Sequence, residues 1–445
     1  MTRITTRISN SSPRHLGGVF FVSPSPLNDG IIIELIIKEY SMKLSEELQW
    51  RGFVAEHTLD QISDLDKAPR NFYWGTDPSA DSLHIGHLAA LMMCACFVRH
   101  GYTPYYLVGG ATGQIGDPKE TAERDLKSLD EIATNKAALA KQIVRVTHSP
   151  ADTKILDNLD WFGEVKFLPF LREIGKAFSM TQLLDRQFVQ ARIGEGGSGI
   201  SYAEFSYTLI QGYDFLHLFR EHNVDLQLCG ADQYGNCTSG IHLIKRLEGA
   251  KADAYSCPLI IDKVTGRKFG KSEGNAVWLD STKTSIFDFY QFWLNQADET
   301  LEEFFKYYTF VTPEELDQIL AKHSENPGAR YGQRQLAARV TEVVHGAEAA
   351  KSAEKITAIL FGDGKLSDLT ADELDLLANS FPPADKGAQL LDILVETGLA
   401  SSKGEGRKLL SGNAISVNGA KITEDQPINE LALIKRGKNK FAIVR

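Results

Sequence analysis

The stretch from Asn71 to Val108 narrows the possible folds more than any other part of the chain. Phe72–Trp74 reads as a strand and a turn rich in Gly, Pro and Asp follows. Leu83–Arg99 then reads as an apolar helix and Pro104–Val108 as a second strand. Strand, crossover helix and strand in that order build a parallel sheet with helices packed on its faces. Helix then strand return at Phe205–Leu218 and Asp225–Cys229, so an α/β domain with a doubly wound parallel sheet is expected. A helical insertion is expected at about 120–192.

Past Ser285 the pattern turns helical. Thr312-Pro313-Glu314-Glu315 and Thr370-Ala371-Asp372-Glu373 both match the capping box, the first with proline at the first helical position. Asn379-Ser380-Phe381-Pro382-Pro383 reads as a linker, and a small basic module closes the chain. The first 41 residues stand apart: up to Asn28 they hold no acid and three arginines, Arg3, Arg7 and Arg14. No apolar core of a secretory signal follows, because Glu34 splits Ile31–Ile37. Residues 1–41 are therefore read as an extension, disordered or a misassigned start, on a cytoplasmic protein that begins to fold near Met42. The alternative is a mitochondrial transit peptide, which shares the Arg-rich, acid-poor bias.

Composition removes whole classes. The chain is 43% hydrophobic and 24% charged over 445 residues, which excludes wholesale disorder and fibrous repeats and suits two or three domains. Its longest apolar run, Leu88–Val98, has 11 residues, against roughly 20 for a membrane-spanning helix. Five cysteines with no CxxC pair argue against a disulfide framework or a structural zinc site. Net charge is −10, which argues against nucleic acid until its distribution is examined. Residues 389–445 carry nine basic against six acidic side chains, a local excess of positive charge on an acidic protein.

Chemistry concentrates in two places. Tyr73-Trp74-Gly75-Thr76-Asp77-Pro78-Ser79-Ala80-Asp81-Ser82-Leu83-His84-Ile85-Gly86-His87 runs from a strand end through a turn into a helix start. Backbone N–H groups there, backed by the helix dipole, attract phosphate. His84 and His87 share one face and can both donate to phosphate oxygens, and Gly86 lets a flat group approach the backbone. A metal pair or two surface histidines would leave the same trace. Metal is the weaker case, since helical zinc sites use i, i+4 spacing and an added carboxylate. The second place is Lys268-Phe269-Gly270-Lys271-Ser272, between Gly266 and Gly274. Two lysines in a glycine-flanked loop suggest a clamp on developing phosphate charge; alone, they would read as a solvated basic loop.

The order of the two motifs matches the paired HIGH and KMSKS signatures of class I aminoacyl-tRNA synthetases. From about Leu44 to the C-terminus the chain resembles bacterial-type tyrosyl-tRNA synthetases. Leu107–Asp117, Phe205–Phe215, Gly230–Asn236 and Ser401–Gly419 carry the likeness alongside the two signatures. The resemblance implies a Rossmann-like catalytic domain over residues 42–265 with its helical insertion, and the KFGKS loop and linker over 266–284. An α-helical anticodon-binding domain over 285–378 and a linker over 379–387 follow. A small α+β RNA-binding domain like that of a ribosomal small-subunit protein then spans 388–445, with Lys403, Arg407 and Lys408 as RNA-binding residues.

The same resemblance assigns residues. Tyr73 and Asp214 would hold the phenolic hydroxyl of tyrosine, and Asp117, Tyr207 and Gln211 its ammonium group. Gln233 would contact the amino acid and Asp77 the adenylate, with Asp232 and Gly230 at the ribose. His84, His87, Lys268 and Lys271 form the catalytic, phosphate-binding set; Gly75, Ser79, Gly86 and Ser272 complete the ATP site. Taken singly, Tyr73 and Asp214 would read as a mutually satisfied buried pair, and Asp117 as a helix cap. The implied reaction uses ATP with Mg2+ as a substrate complex and no protein-bound metal. It forms tyrosyl-adenylate and pyrophosphate, then transfers tyrosine to the terminal adenosine of tRNA(Tyr). Phe170, Leu171, Ile174 and Phe178 share a helical face, read with the resemblance as the interface of a homodimer that engages no membrane.

Trp74 stands where many relatives carry a small residue beside the ribose, and a bulky ring there should change the fit around the sugar. Ser79 keeps the hydroxyl of a more usual threonine, whereas Ala231 and Tyr234 replace Ser and Trp. Three rivals differ in class. A tryptophanyl-tRNA synthetase lacks the terminal module and the Tyr73 and Asp214 combination. An inactive RNA-binding or splicing protein would be free to lose both signatures. A nucleotidyltransferase with the first motif is usually much shorter.

Overall fold

β1 (Asn71–Thr76) is the middle strand of a five-stranded parallel sheet. The computed structural model describes residues 42–118, 127–184, 186–194, 196–261, 269, 271–272, 275–362, 364–437 and 439–445. Residues 1–41 and Lys268 lie outside the described residues. β2 (Thr103–Val108) and then β3 (Lys154–Leu156) flank β1 on one side. β4 (Val224–Gly230) and β5 (Asp253–Cys257) lie on the other. The chain thus leaves β1 toward β2 and returns later at β4. The sheet reverses its order between β1 and β4, and in such sheets ligands bind at the carboxyl ends of the strands beside that switch. α1 (Leu44–Arg51) precedes the sheet, and α2 (Ile85–Arg99) crosses from β1 to β2. α2 is apolar on nearly every face, and burial of Leu88, Leu91, Met92, Met93 and Phe97 explains why.

The segment read as a helical insertion is not wholly helical. After α3 (Leu129–Thr147), β3 joins the main sheet, with Tyr105, Tyr106 and Leu107 facing Lys154, Ile155 and Leu156 in register. Three residues at a sheet edge are too short to leave a period-2 pattern, which is why the sequence hid them. Residues 119–126 lie outside the described residues. The shared helical face expected for Phe170, Leu171, Ile174 and Phe178 also changes. The helix α4 stops at Phe167–Glu173, and a 3-10 turn at Gly175–Ala177 breaks the phase. Ile174 is buried and Phe170 packs on Phe162 and Tyr213, while Phe167 and Leu168 stand exposed. α5 (Tyr202–His222) opens with a capping box, Ser201 and Glu204 exchanging bonds with each other's backbone N–H. α6 (Tyr234–Glu248) follows β4.

The helical region begins with α7 (Ile286–Leu294) and α8 (Leu301–Tyr308) and continues through α9 (Pro313–Glu325) and α10 (Tyr331–His345). α11 (Ala347–Phe361) and α12 (Ala371–Ala378) complete it. Both expected capping boxes form, at Thr312 with Glu315 and at Thr370 with Glu373. This region shares its core with the sheet: Phe289, Trp293, Phe305 and Leu336 belong to the same buried cluster as Phe72, Leu88 and Phe97. A buried ionic joint adds direction to that contact. Arg51, at the end of α1, donates to the carbonyl oxygens of Lys306 (2.8 Å) and Thr309 (2.7 Å), groups that the end of α8 leaves unpaired. Glu47 accepts from Arg51 (2.7 Å) and His100 (2.9 Å) and also pairs with Arg99. Burial pushes the Glu47 carboxyl up, but Arg99 and Arg51 outweigh it and hold it below the usual range. A carboxylate buried so deeply is tolerable only when paired in this way.

The terminal module is a second five-stranded sheet. In spatial order it runs β10 (Ala420–Lys421), β9 (Ile415–Val417), β11 (Ala432–Arg436), β12 (Lys440–Val444) and β8 (Pro383–Ala384). β8 corrects the linker reading. Pro383 and Ala384 pair in parallel with Ile443 and Val444 at the sheet edge, where a residue without an N–H does no harm. One face of the sheet buries Ile434, Ala442 and Val444 against α13 (Leu390–Glu396) and α14 (Lys403–Ser411). The other sets Phe441 and Ile443 against Ile359, Leu360 and Leu377 of the helical region. Among the described residues no helix is long and apolar enough to cross a membrane.

Candidate active site

A cleft of about 580 Å³ opens at the carboxyl ends of β1 and β4, where the strand order reverses. Tyr73, Gly75, Asp77 and Ser79 enter it from β1 and the following turn, and His84, Gly86 and His87 from the start of α2. Tyr207, Gln211 and Asp214 project from α5; Gly230, Asp232 and Gln233 follow β4; Asp117 comes from the loop after β2. One cavity thus gathers these residues from four separate stretches of chain. Lys271 and Ser272 form β6, which pairs antiparallel with β7 (Asn275–Ala276). Lys403, Arg407 and Lys408 lie elsewhere, exposed on α14.

The two signatures meet through backbone. Ile85 N donates to Val277 O (3.0 Å) and Leu279 N to Leu83 O (2.8 Å), so the chain after the second signature is paired with the turn that opens α2. The His84 and His87 rings lie 4.1 Å apart. Nδ1 of His84 accepts from Gly86 N (3.0 Å) and Nδ1 of His87 accepts from His84 N (3.3 Å). With both Nδ1 atoms acting as acceptors, the ring hydrogen is assigned to Nε2 in each, giving two donors at the helix start. Gly86 is needed here for space. A Cβ on it would come within 2.7 Å of His84 Cε1 and 3.3 Å of the Phe269 carbonyl oxygen.

The other end of the cleft is buried. Tyr73 and Asp214 are each 1% exposed, yet they do not bond to one another. Asp214 accepts from Asn158 Nδ2 (3.0 Å) and Trp161 Nε1 (2.9 Å), while Tyr73 Oη has no hydrogen-bond partner. Gln211 Oε1 and Gln227 Oε1 are likewise buried and unpartnered. Burial pushes the Asp214 carboxyl well above the ordinary aspartate range, against the opposing pull of Asn158 and Trp161. Burial also raises the Tyr73 phenol, helped by Cys237 and Asp214. Buried polar atoms are nearly always paired, and these three line one cleft, which suits a polar ligand. Between the two ends, Tyr207 Oη donates to Asp77 (2.9 Å) and Gln233 Nε2 donates to Asp117 (2.9 Å). Asn236 Nδ2 donates to Gln233 Oε1 (3.1 Å) and also to Asp117 Oδ1 (3.4 Å), so Asp117 ties the loop after β2 to the start of α6. Asp117 accepts from Gln233 in the cleft; residues 119–126, where a helix capped by Asp117 would begin, lie outside the described residues.

Comparison with known proteins separates the possible chemistries. Residues 65–362 match the family model for tRNA synthetases class I (W and Y). Residues 378–445 match that for the tyrosine–tRNA ligase SYY-like C-terminal domain. The tyrosine–tRNA ligase of Leuconostoc citreum is 41% identical over 420 residues, covering 90% of this chain and 99% of that protein. This chain belongs to the tyrosine–tRNA ligase family. That of Ligilactobacillus salivarius is 40% identical over 91% of this chain and all of its own length. Among solved structures, a C-terminally truncated mitochondrial tyrosyl-tRNA synthetase of Aspergillus nidulans superposes with a TM-score of 0.65 at 26% identity. The match covers 74% of this chain and 97% of that one.

Within this member of the family, sequence reasoning missed Asn158, Trp161 and Gln227. Asn158 follows β3, the strand that the insertion reading concealed; its place at the carboxyl end of a sheet strand was the available signal. Trp161 and Gln227 carried no local signal, because only the fold brings them to the acid. Trp74 lines the cleft but is 4% exposed and belongs to the core cluster, so burial already limits its reach toward a ligand. Among the described residues no group of three or more His, Cys, Asp or Glu side chains could hold a metal ion.

The raised Asp214 pKa has a measurable consequence. The folded state holds this proton more tightly than the unfolded state, whose reference value is 3.8. The contribution is therefore complete below that pH and is lost as pH rises through the folded value. Urea unfolding of wild type and Asp214→Asn across a pH series should show the difference moving in the variant's favour above pH 3.8. A difference that stays flat with pH would contradict the assignment.

Proposed function

We propose that this chain activates tyrosine with ATP to give tyrosyl-adenylate and pyrophosphate, then passes tyrosine to the 3′-terminal adenosine of tRNA(Tyr). The observation that carries the reading is the pairing of two unlike ends in one cleft. At one end the buried Tyr73 Oη and Gln227 Oε1 lack partners beside Asp214; at the other, two imidazoles crown a helix start. A phenolic hydroxyl can donate and accept at once, which suits the first end. A triphosphate suits the second.

In the first step the tyrosine carboxylate attacks the α-phosphorus of ATP and pyrophosphate leaves. The carboxylate is ionised at neutral pH and needs no general base. Catalysis then rests on positioning and on stabilising charge that grows in the transition state. His84 and His87 would donate through Nε2, and Lys268 and Lys271 would add positive charge, favouring the transition state over bound ATP. Magnesium enters with ATP as part of the substrate. Asp117, Tyr207 and Gln211 would hold the ammonium group, Gln233 would contact the amino acid, and Asp77, Gly230 and Asp232 would hold the adenylate side. Lys403, Arg407 and Lys408 supply an exposed basic face for RNA.

Choice of tyrosine over phenylalanine follows from the buried end. A ligand without the hydroxyl would leave Tyr73 Oη without a partner beside Asp214, and discrimination on that basis can reach about 10⁵. Exchange of labelled pyrophosphate into ATP is expected with tyrosine and not with phenylalanine or tryptophan, and is expected to vanish in Asp214→Ala. Exchange driven by tryptophan, or none with any amino acid, would refute the reading.

The quaternary part of the proposal is a homodimer. Phe167 (65% exposed), Leu168 (74%) and Met180 (58%) leave apolar surface uncovered beside an apolar cavity lined by Leu171, Phe178 and Leu209. Light scattering should report twice the chain mass, and Leu168→Asp should lower it. A wild-type mass of one chain at working concentration would rule the dimer out.

A further inference from the structure

Phe269 stands inside the second signature, directly after Lys268 and two residues before Lys271. A side chain between two phosphate-binding lysines would ordinarily be solvated. Its ring is 5% exposed. It lies 4.8 Å from the ring of Phe304 and 6.1 Å from Tyr308 on α8, and 5.6 Å from Phe292 and 6.0 Å from Trp293 on α7. These four rings form an aromatic cage that belongs to the helical region.

The backbone of the same residue is fixed on two further sides. Phe269 N donates to Ile260 O (2.8 Å), tying it to the chain beyond β5. Its carbonyl oxygen lies against Gly86, 3.3 Å from where a Cβ there would sit. Phe269 therefore touches the first signature through its backbone and the helical region through its ring. A second anchor follows in the chain. Val277 and Leu279 are bonded to Ile85 and Leu83, and Lys271 lies in sequence between the two anchors.

We propose that Phe269 is a positioning residue for tyrosine activation. Its ring, held in the α7–α8 cage, fixes the backbone that leads to Lys271 against the helix start that bears His84 and His87. Lys271 needs no contact with the cage, because the ring acts through the chain that carries it. A side chain too small to fill the cage removes the ring's packing and leaves that backbone held by the Phe269 N–Ile260 O bond and the later pairing of Val277 and Leu279. Charge stabilisation is sensitive to such displacement, since misplacement of about 1 Å far from the reacting atoms can cost on the order of a hundredfold in rate. The amino-acid end of the cleft shares none of these anchors. The inference rests on the proposed ligase reading, and it predicts a selective effect on the ATP side.

Pyrophosphate exchange by full-length Phe269→Ala, Phe269→Leu and Phe304→Ala tests it. The expected result for Phe269→Ala is a kcat lower by on the order of tenfold to a hundredfold and a raised KM for ATP, with KM for tyrosine as in wild type. Phe269→Leu, which refills the cage, should recover most of the loss. Phe304→Ala widens the cage without changing the signature's own residues and should reproduce the ATP-side effect. Combined with Phe269→Ala it should add little, as expected of two changes acting through one contact. Wild-type kcat and ATP KM in either alanine variant would overturn the inference, as would an equal rise in KM for both substrates. Should Phe269→Ala fail to fold, Phe304→Ala alone decides. A wild type without tyrosine-dependent exchange would remove the ligase reading and this inference together, whereas active wild type with unaffected variants removes only the role of the ring.

Discussion

The site depends on a short piece of backbone pairing. Residues 83–85 are bonded to residues 277–279, so the turn that opens α2 and the chain that follows KFGKS are one structural unit. The two lie almost two hundred residues apart in sequence, and neither motif could form a phosphate site alone. A helix start offers oriented N–H groups and part of a charge; lysines offer full charge but flexible stems. Held together by main-chain bonds, they can act on the same group of atoms.

From that point the molecule divides its polar chemistry by depth. In the proposed reading, the phosphate end is open and would use donors that water can reach. The amino-acid end is buried, and there the cost of an unpaired polar group would become a means of selection. Asp214 shows the compromise: Asn158 and Trp161 give it two donors, while burial still favours its protonated form. The shared core of sheet and helical region, with Arg51 capping α8 and Glu47 bridging Arg51 to Arg99, keeps α2 in register with the helices behind it. Geometry at the histidines is thus supported from both ends of one helix.

Much of this was legible in the sequence, and what was not has physical reasons. β1, α2 and β2 could be read because a buried crossover leaves long apolar runs, and Thr312 and Thr370 because capping is a local contact. The residues expected at the site through the resemblance largely meet in one cleft, since the motifs that carry them lie at its ends. β3 escaped because three residues leave no period, and Asn158 escaped with it. The face shared by Phe170 and Ile174 holds, since Ile174 N donates to Phe170 O, but Phe178 leaves it because a 3-10 turn at Gly175–Ala177 breaks the helical phase. Pro383 read as linker because the strand that pairs with it arrives sixty residues later. Each miss lies where a non-local contact overrides local pattern.

The most direct test is a crystal structure of the full chain with a non-hydrolysable tyrosyl-adenylate analogue. The account predicts the phenolic oxygen within about 2.5–3.2 Å of both Tyr73 Oη and an Asp214 oxygen, and the phosphoryl mimic within hydrogen-bond reach of His84 or His87. An analogue bound with its ring outside the Tyr73 and Asp214 end, or with its phosphoryl mimic away from both histidines, would contradict it.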